Sequence, residues 1–362
     1  FTAEQCCNRQ PVGQLGATVD ARPAPPDAAT QAYATVLFAE DRAAAEIYCD
    51  VVRTLADQLR RSETDLHGGA VVHRRFFVLM DAQTLGRGTE LGDLLREHFR
   101  ADGIEVIEAE LELAIAPGLR DRLQQLQVVH PPLRAWLKSL MFDEGIFGNF
   151  SRVVYFDADT LPLLGAAQGL LTLPESVTFA CARMPSYSYR CHDAPALNTA
   201  VMVVQPNATL FEMMRRRLQE AWGLDDDFVK GTRNFDQSWL DLFWRHLSPR
   251  IDVEQPPTDF GVLEQDTAVR ETYVALSGYP ELPPHVVLPE AYNVFVDPYH
   301  ADRVHDLFDD EDITVGLRFL RGLGQHSAVA GPRVLHWPGS QGKPWWRCAQ
   351  EVRTRMDAMW WR

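Results

Sequence analysis

The stretch RVVYFDADTLPLL, Arg152 to Leu164, decides how this chain is read. An apolar, β-favouring run from Val153 to Phe156 ends at two carboxylates, Asp157 and Asp159, held one residue apart. Inside a strand such a pair shares one face, and where the strand ends both can turn toward a single point. Two hard oxygen ligands of this kind suit Mg²⁺ or Mn²⁺, which take few carboxylates and complete their shell with water and substrate phosphates. The plainer account is a solvated strand end whose Asp caps the next turn, and for an isolated Asp-x-Asp it is the commoner one.

Outward from this stretch the chain alternates strand and helix. YATVLFA reads as a short strand, followed by a helix from Ala43 to Arg60 on which Ile47, Val51, Leu55 and Leu59 recur every four residues. RRFFVLM and GIEVIEAEL are further strands, separated by the amphipathic TELGDLLREHF. Past the middle, LRAWLKSLMFDEGIF reads as helix, VTFACARM and ALNTAVMVVQP as strands, and ATLFEMMRRRLQEAW and FDQSWLDLFWRHL as helices. PRVLHWPG is a late strand. The pattern predicts an α/β protein with a Rossmann-like, mostly parallel central sheet flanked by helices, whose ligands sit outside the carboxyl ends of the strands. Residues 1–30, with ARPAPPDAAT, read as a stem or linker, and 31–362 as one catalytic domain. The Pro-rich and acidic region from Ser248 to Pro289 reads as a loop-rich insertion.

Composition limits the partners. The 362 residues are 46% hydrophobic and 23% charged, enough for a large core, and the net charge of −15 repels phosphate backbones, so nucleic acid is excluded as a partner. No apolar run approaches the roughly 18 residues of a membrane span. The chain begins at Phe1 rather than Met, which leaves room for an upstream signal or anchor removed beforehand. Six cysteines are too few for a disulfide scaffold of this length, although an even count permits pairing. Two sequons, Asn149-Phe150-Ser151 and Asn207-Ala208-Thr209, fit a secretory route and a Golgi lumenal setting.

Company for the two acids appears near the other end, in VLHWPGSQGKPWW. His336 follows an apolar run, Gly339 and Gly342 allow close backbone approach, and Lys343 supplies a point charge able to meet a diphosphate. An imidazole ligand beside two aspartates favours Mn²⁺ over Mg²⁺. Taken singly, His336 also reads as a satisfied core histidine and Lys343 as a surface lysine. Asn198, placed just before a hydrophobic strand, is either a hydroxyl-binding group or a turn Asn. Asp236 and Gln237 open a helix, where they are either cap residues or a carboxylate and amide facing a reacting sugar.

Taken in order, these segments resemble the glycogenin-like retaining glycosyltransferases of family 8, which have a GT-A fold. The resemblance runs from about Tyr33 to Trp346. YATVLF, which contains Thr35, resembles the family's first nucleotide-binding strand, VVYFDADTLPL its metal motif and LNTAVMVVQP its Asn-Ser-Gly strand. FDQSWLDLF looks like the Asp-Gln helix, LPEAYNVF the Leu-Pro-x-x-Tyr-Asn segment, and HWPGSQGKPW the closing His-to-Lys-Pro-Trp motif.

The resemblance implies a UDP-sugar donor whose diphosphate is bridged by Mn²⁺ to Asp157, Asp159 and His336. It further implies donor contacts from Thr35, Lys138, Ala158, Asn198, Gly339 and Lys343, with Asp236 and Gln237 nearest the anomeric carbon and an α-linked product on a glycan, protein or lipid acceptor. Two departures stand out. Asn198-Thr199-Ala200 replaces Asn-Ser-Gly, and Tyr48 in DRAAAEIY sits away from the family's early aromatic. Two other functions share this chemistry: a non-catalytic nucleotide-sugar-binding protein, and a nucleotidyltransferase or sugar-phosphate hydrolase.

Overall fold

A computed structural model describes residues 30–37, 42–66, 74–114, 133–163, 166–183, 197–222, 235–252, 282–295 and 333–337. The expected stem lies outside them except for Thr30, whose carbonyl accepts the Ser151 amide at 2.7 Å.

Eight strands form the main sheet: β1 (Gln31–Leu37), β2 (Arg75–Asp81), β3 (Glu105–Ala109), β4 (Arg152–Phe156), β6 (Phe179–Arg183), β7 (Leu197–Val204), β8 (Arg250–Asp252) and β9 (His285–Leu288). Their order is β3-β2-β1-β4-β7-β6-β9-β8. Only β7 runs antiparallel to its neighbours, β4 and β6; every other pairing is parallel. The sheet is therefore the mostly parallel α/β sheet that the alternating sequence predicts. The chain moves from β1 outward to β2 and β3, then returns to place β4 on the other side of β1. The carboxyl ends of β1 and β4 thus form a topological switch point, where open α/β sheets leave a crevice.

Helices cover both faces, which is why the central strands are buried throughout rather than alternating. On one face lie α1 (Arg42–Leu66) and α2 (Glu90–Ala101). The α1 stripe read from the sequence packs as expected at Val51, Leu55 and Leu59, each at most 1% exposed. Helix α2 starts at Thr89, whose hydroxyl accepts from Gly92 N at 3.0 Å, and it carries Glu90 and Asp93 in its first turn. Gly103, at φ +64°, follows its end, a backbone conformation that glycine adopts without strain. The opposite face holds α3 (Ala208–Trp222), α4 (Phe235–Leu247) and a 3₁₀ helix, Leu133–Phe142. There Trp244 stacks on Phe179 with centroids 4.5 Å apart.

Three expectations change. The helix read over Leu133–Phe147 is a 3₁₀ segment followed by a short helix, Glu144–Phe147, because Asp143 breaks in as a new cap, accepting from Gly145 N at 2.8 Å. The region from Ser248 to Pro289 is not all loop: it adds β8 and β9 to the sheet. Four consecutive buried residues, His285 to Leu288, give β9 no alternation for a periodicity reading to detect. Residues 253–281 lie outside the described set. Finally, Asn198 lies inside β7 rather than ahead of it, at an irregularity where Cys181 pairs with Met202 but Ala182 pairs with Asn198.

A second, three-stranded sheet of β5 (Thr160–Pro162), β10 (Val294–Phe295) and β11 (Val334–His336) sits at the switch point. Strand β11 runs parallel to β10 and antiparallel to β5, with His336 opposite Thr160.

At the amino end of β1 a buried polar network anchors the sheet. Arg74 pairs with Glu63, their side chains 0% and 2% exposed; Tyr33 donates to Glu63, and Arg74 Nε donates to Gln31 Oε1 at 3.1 Å. Burial, then the Glu63 charge, raises the Tyr33 phenol well above its usual value, so it stays a neutral donor. Removing one charge from a buried pair strands the other. Glu63→Leu is expected to cost about 3 kcal/mol or more in urea unfolding, and adding Arg74→Met should recover part of that loss. A single-mutant loss below about 1 kcal/mol would show that the pair is not anchoring β1.

Candidate functional site

The carboxyl end of β4 closes into a tight turn. The Asp157 carbonyl accepts both Thr160 N at 3.0 Å and Thr160 Oγ1 at 2.7 Å, while Asp157 N donates to Ala200 O of β7 at 2.8 Å. Asp at the first position and Thr at the fourth suit such a turn. It swings Asp159 to the same side as Asp157, as the spacing predicted. The Asp159 carbonyl then receives Trp337 N at 3.0 Å, which draws the end of β11 onto the turn.

This pairing brings His336 beside the acids. Ligand atoms of Asp157, Asp159 and His336 all lie within 4.8 Å of one another, and His336 Nε2 stands 3.5 Å from Asp159 Oδ1. The carboxylates are 22% and 18% exposed and the imidazole 7%, so the cluster has one open side. Two hard oxygens and one imidazole nitrogen fit Mn²⁺ or Mg²⁺, with positions left for water or phosphate.

Lys138, on the 3₁₀ helix, reaches the same point. Its ammonium lies 2.9 Å from Asp157 Oδ1 and donates to Asp157 Oδ2 at 3.1 Å and to Thr199 Oγ1 at 3.2 Å. It also lies 5.6 Å from the centre of the Tyr155 ring, and the Tyr155 hydroxyl donates to Asp157. A lysine only 8% exposed needs this partner, since burial penalises an isolated charge by several kcal/mol.

Behind His336, Nδ1 faces Asn293 Oδ1 at 2.8 Å, and Asn293 Nδ2 donates to the Arg183 carbonyl at 3.0 Å. On the other flank, Tyr48 of α1 is pushed up to about 12, by burial first and then by the charges of Asp159 and Asp157. Its phenol therefore stays neutral at ordinary pH, and it stands within electrostatic reach of both acids.

The remaining expected site residues divide. Ala158 forms the middle of the acidic turn and is 8% exposed. Thr35 is fully buried in β1, with no hydrogen-bond partner for its hydroxyl. Asn198, 4% exposed, turns its Oδ1 back to Ala200 N at 2.9 Å and shapes the strand end. Gln237 is half-buried in the first turn of α4, one turn before Asp241, whose carboxylate accepts Leu197 N at 3.2 Å. Helix α4 thereby docks its amino end beside the start of β7. The side chain of Asp236, and all of Gly339 and Lys343, lie outside the described residues.

Tyr155 and Asp241 were given no role by the sequence reading, and Thr199 and Asn293 entered it only as members of quoted motifs. Each is a polar residue embedded in an apolar run, a signal that only burial gives meaning to.

A scan of protein-family models finds no match to this chain, and neither does a search of curated proteins. Solved structures similar to it include the galactosyltransferase LgtC with donor and acceptor sugar analogs, at 14% identity and a TM-score of 0.41, covering 91% of this chain and 94% of that one. The glycosyltransferase GlyE of Streptococcus pneumoniae TIGR4 superposes at 15% identity and 0.42, covering 91% and 60%. Mouse xyloside xylosyltransferase 1 does so at 12% and 0.39, covering 87% and 99%. Superpositions this loose carry no argument about chemistry, which rests on the side chains.

Because Lys138 and a divalent cation would share Asp157, their charges compete. Lys138→Met is therefore expected to tighten Mn²⁺ binding without nucleotide by about tenfold in calorimetry, a change of about 1.4 kcal/mol. Unchanged or weaker binding would show that Lys138 and the cation do not meet at Asp157.

Proposed function

We propose that this chain is a metal-dependent glycosyltransferase, of the family 8 retaining type, that transfers a sugar from a nucleotide-sugar donor, a UDP-sugar, to a glycan, protein or lipid acceptor with α linkage. The observation that carries the reading is the meeting of Asp157, Asp159 and His336 within 4.8 Å at the switch point of an α/β sheet, beside the buried ammonium of Lys138.

Breaking the bond between an anomeric carbon and a diphosphate leaves negative charge on the departing nucleotide, and the catalytic need is fixed positive charge there. Asp157, Asp159 and His336 would hold the cation, Mn²⁺ in preference to Mg²⁺, which supplies Lewis-acid neutralisation when bound. Lys138 adds a second fixed charge, oriented by Thr199 and Tyr155 before any donor arrives. Gly339 and Lys343 are assigned to the diphosphate oxygens from the sequence pattern. Asp236 and Gln237, at the amino end of α4, are assigned to the sugar. The helix terminus offers free N–H groups there, and an amide or carboxylate stabilises an oxocarbenium-like centre. We assign the enzyme to the secretory pathway, in the Golgi lumen, a reading supported by the two sequons, whose Asn149 and Asn207 are both exposed.

The test is UDP release from a panel of UDP-sugars with Mn²⁺, for the wild type and for Asp157→Ala/Asp159→Ala. One donor should be turned over, chelation should abolish release and added Mn²⁺ restore it, and the double variant should lose about 10³-fold or more. A folded wild type that binds a UDP-sugar but never releases UDP, with or without acceptors, would contradict the enzyme reading and leave a binding protein.

A further inference from the structure

We propose that Asn293 is the positioning residue that holds His336 in the one tautomer able to ligate a cation. The inference rests on the donor-site reading above and concerns a residue outside the cluster itself.

A backbone carbonyl only accepts, so the end of the Asn293 amide that meets the Arg183 carbonyl at 3.0 Å is the NH₂ end. Its other end, Oδ1, therefore faces His336 Nδ1 at 2.8 Å, and that oxygen carries no hydrogen. The ring must supply the proton, so Nδ1 is the N–H nitrogen. In a neutral imidazole this leaves Nε2 with a bare lone pair, and Nε2 is the atom 3.5 Å from Asp159 Oδ1. Two lone-pair atoms that face one another are at rest only with positive charge between them.

The alternative tautomer would defeat the site. With its hydrogen on Nε2, His336 would donate straight to Asp159, occupying the carboxylate and the imidazole with each other and withdrawing both from a cation. Asn293 blocks this state because Arg183, fixed in β6 of the main sheet, prevents its amide from flipping. Asn293 is 0% exposed and immediately precedes β10, which pairs with β11 so that Phe295 lies opposite His336. A role in packing alone would not require an amide oriented at both ends.

The test uses the full chain, with Asn293→Leu as the variant that keeps bulk and loses the acceptor, and Asn293→Asp as the one that keeps it. Two readouts are taken on proteins with matched unfolding midpoints: Mn²⁺ affinity by electron paramagnetic resonance, and the ¹⁵N shifts of His336 without metal at a pH where the ring is neutral. Wild type should show the N–H on Nδ1. Asn293→Leu should shift it toward Nε2 and weaken Mn²⁺ about 10–100-fold, while Asn293→Asp, which keeps an acceptor for Nδ1, holds the N–H on Nδ1. An Asn293→Leu protein whose His336 still carries its proton on Nδ1, or whose Mn²⁺ affinity is unchanged, would overturn the proposal. A wild type that binds no Mn²⁺ would overturn the donor-site reading, and the metal-free shifts would still judge separately whether Asn293 sets the tautomer.

Discussion

The pairing of β11 with β5 is the constraint on which the site depends. Asp157 and Asp159 are placed by β4 and the turn that ends it, but His336 arrives from the far end of the chain. It is held by its register opposite Thr160 and by the bond from Trp337 N to the Asp159 carbonyl. A sheet of two- and three-residue strands has little stability of its own. What makes it rigid is burial: Val334 and Leu335 are fully covered and Trp337 is 1% exposed, packed in the same core layer as α1. Hydrophobic burial at the switch point thus sets the separation between an imidazole and a carboxylate.

Electrostatics then determine what the cluster wants. Two carboxylates stand at the edge of a chain that is already strongly acidic, and Lys138 pairs with Asp157. Its ammonium is confined by apolar neighbours, by Thr199 and by the Tyr155 ring, so it offers positive charge without the cost of reorganising when a phosphate-bearing ligand arrives. The Tyr48 phenol is raised by burial first and then by the charges of Asp159 and Asp157.

The sheet and the acidic turn were legible in the sequence because they obey local rules: alternating strand and helix signals, an apolar stripe on α1, and a strand that stops at Asp-Ala-Asp. The union of His336 with the acids was legible only through the order of motifs, since no spacing rule connects residues so far apart. What escaped reading has a common cause. Strand β9 is buried on both faces and shows no alternation, and Asn198 looked like a turn residue although it sits within an irregular strand. Asn293 and Tyr155 take their meaning from which atom faces which.

The central claim is that Asp157, Asp159 and His336 form a single cation site at the switch point. The most direct measurement is anomalous diffraction at the manganese edge from crystals grown with Mn²⁺ and UDP. The account predicts one strong peak within about 2.5 Å of a carboxylate oxygen of each aspartate and of His336 Nε2, with diphosphate oxygens completing the shell. A fully occupied peak elsewhere, or UDP bound with no peak between these three side chains, would contradict it.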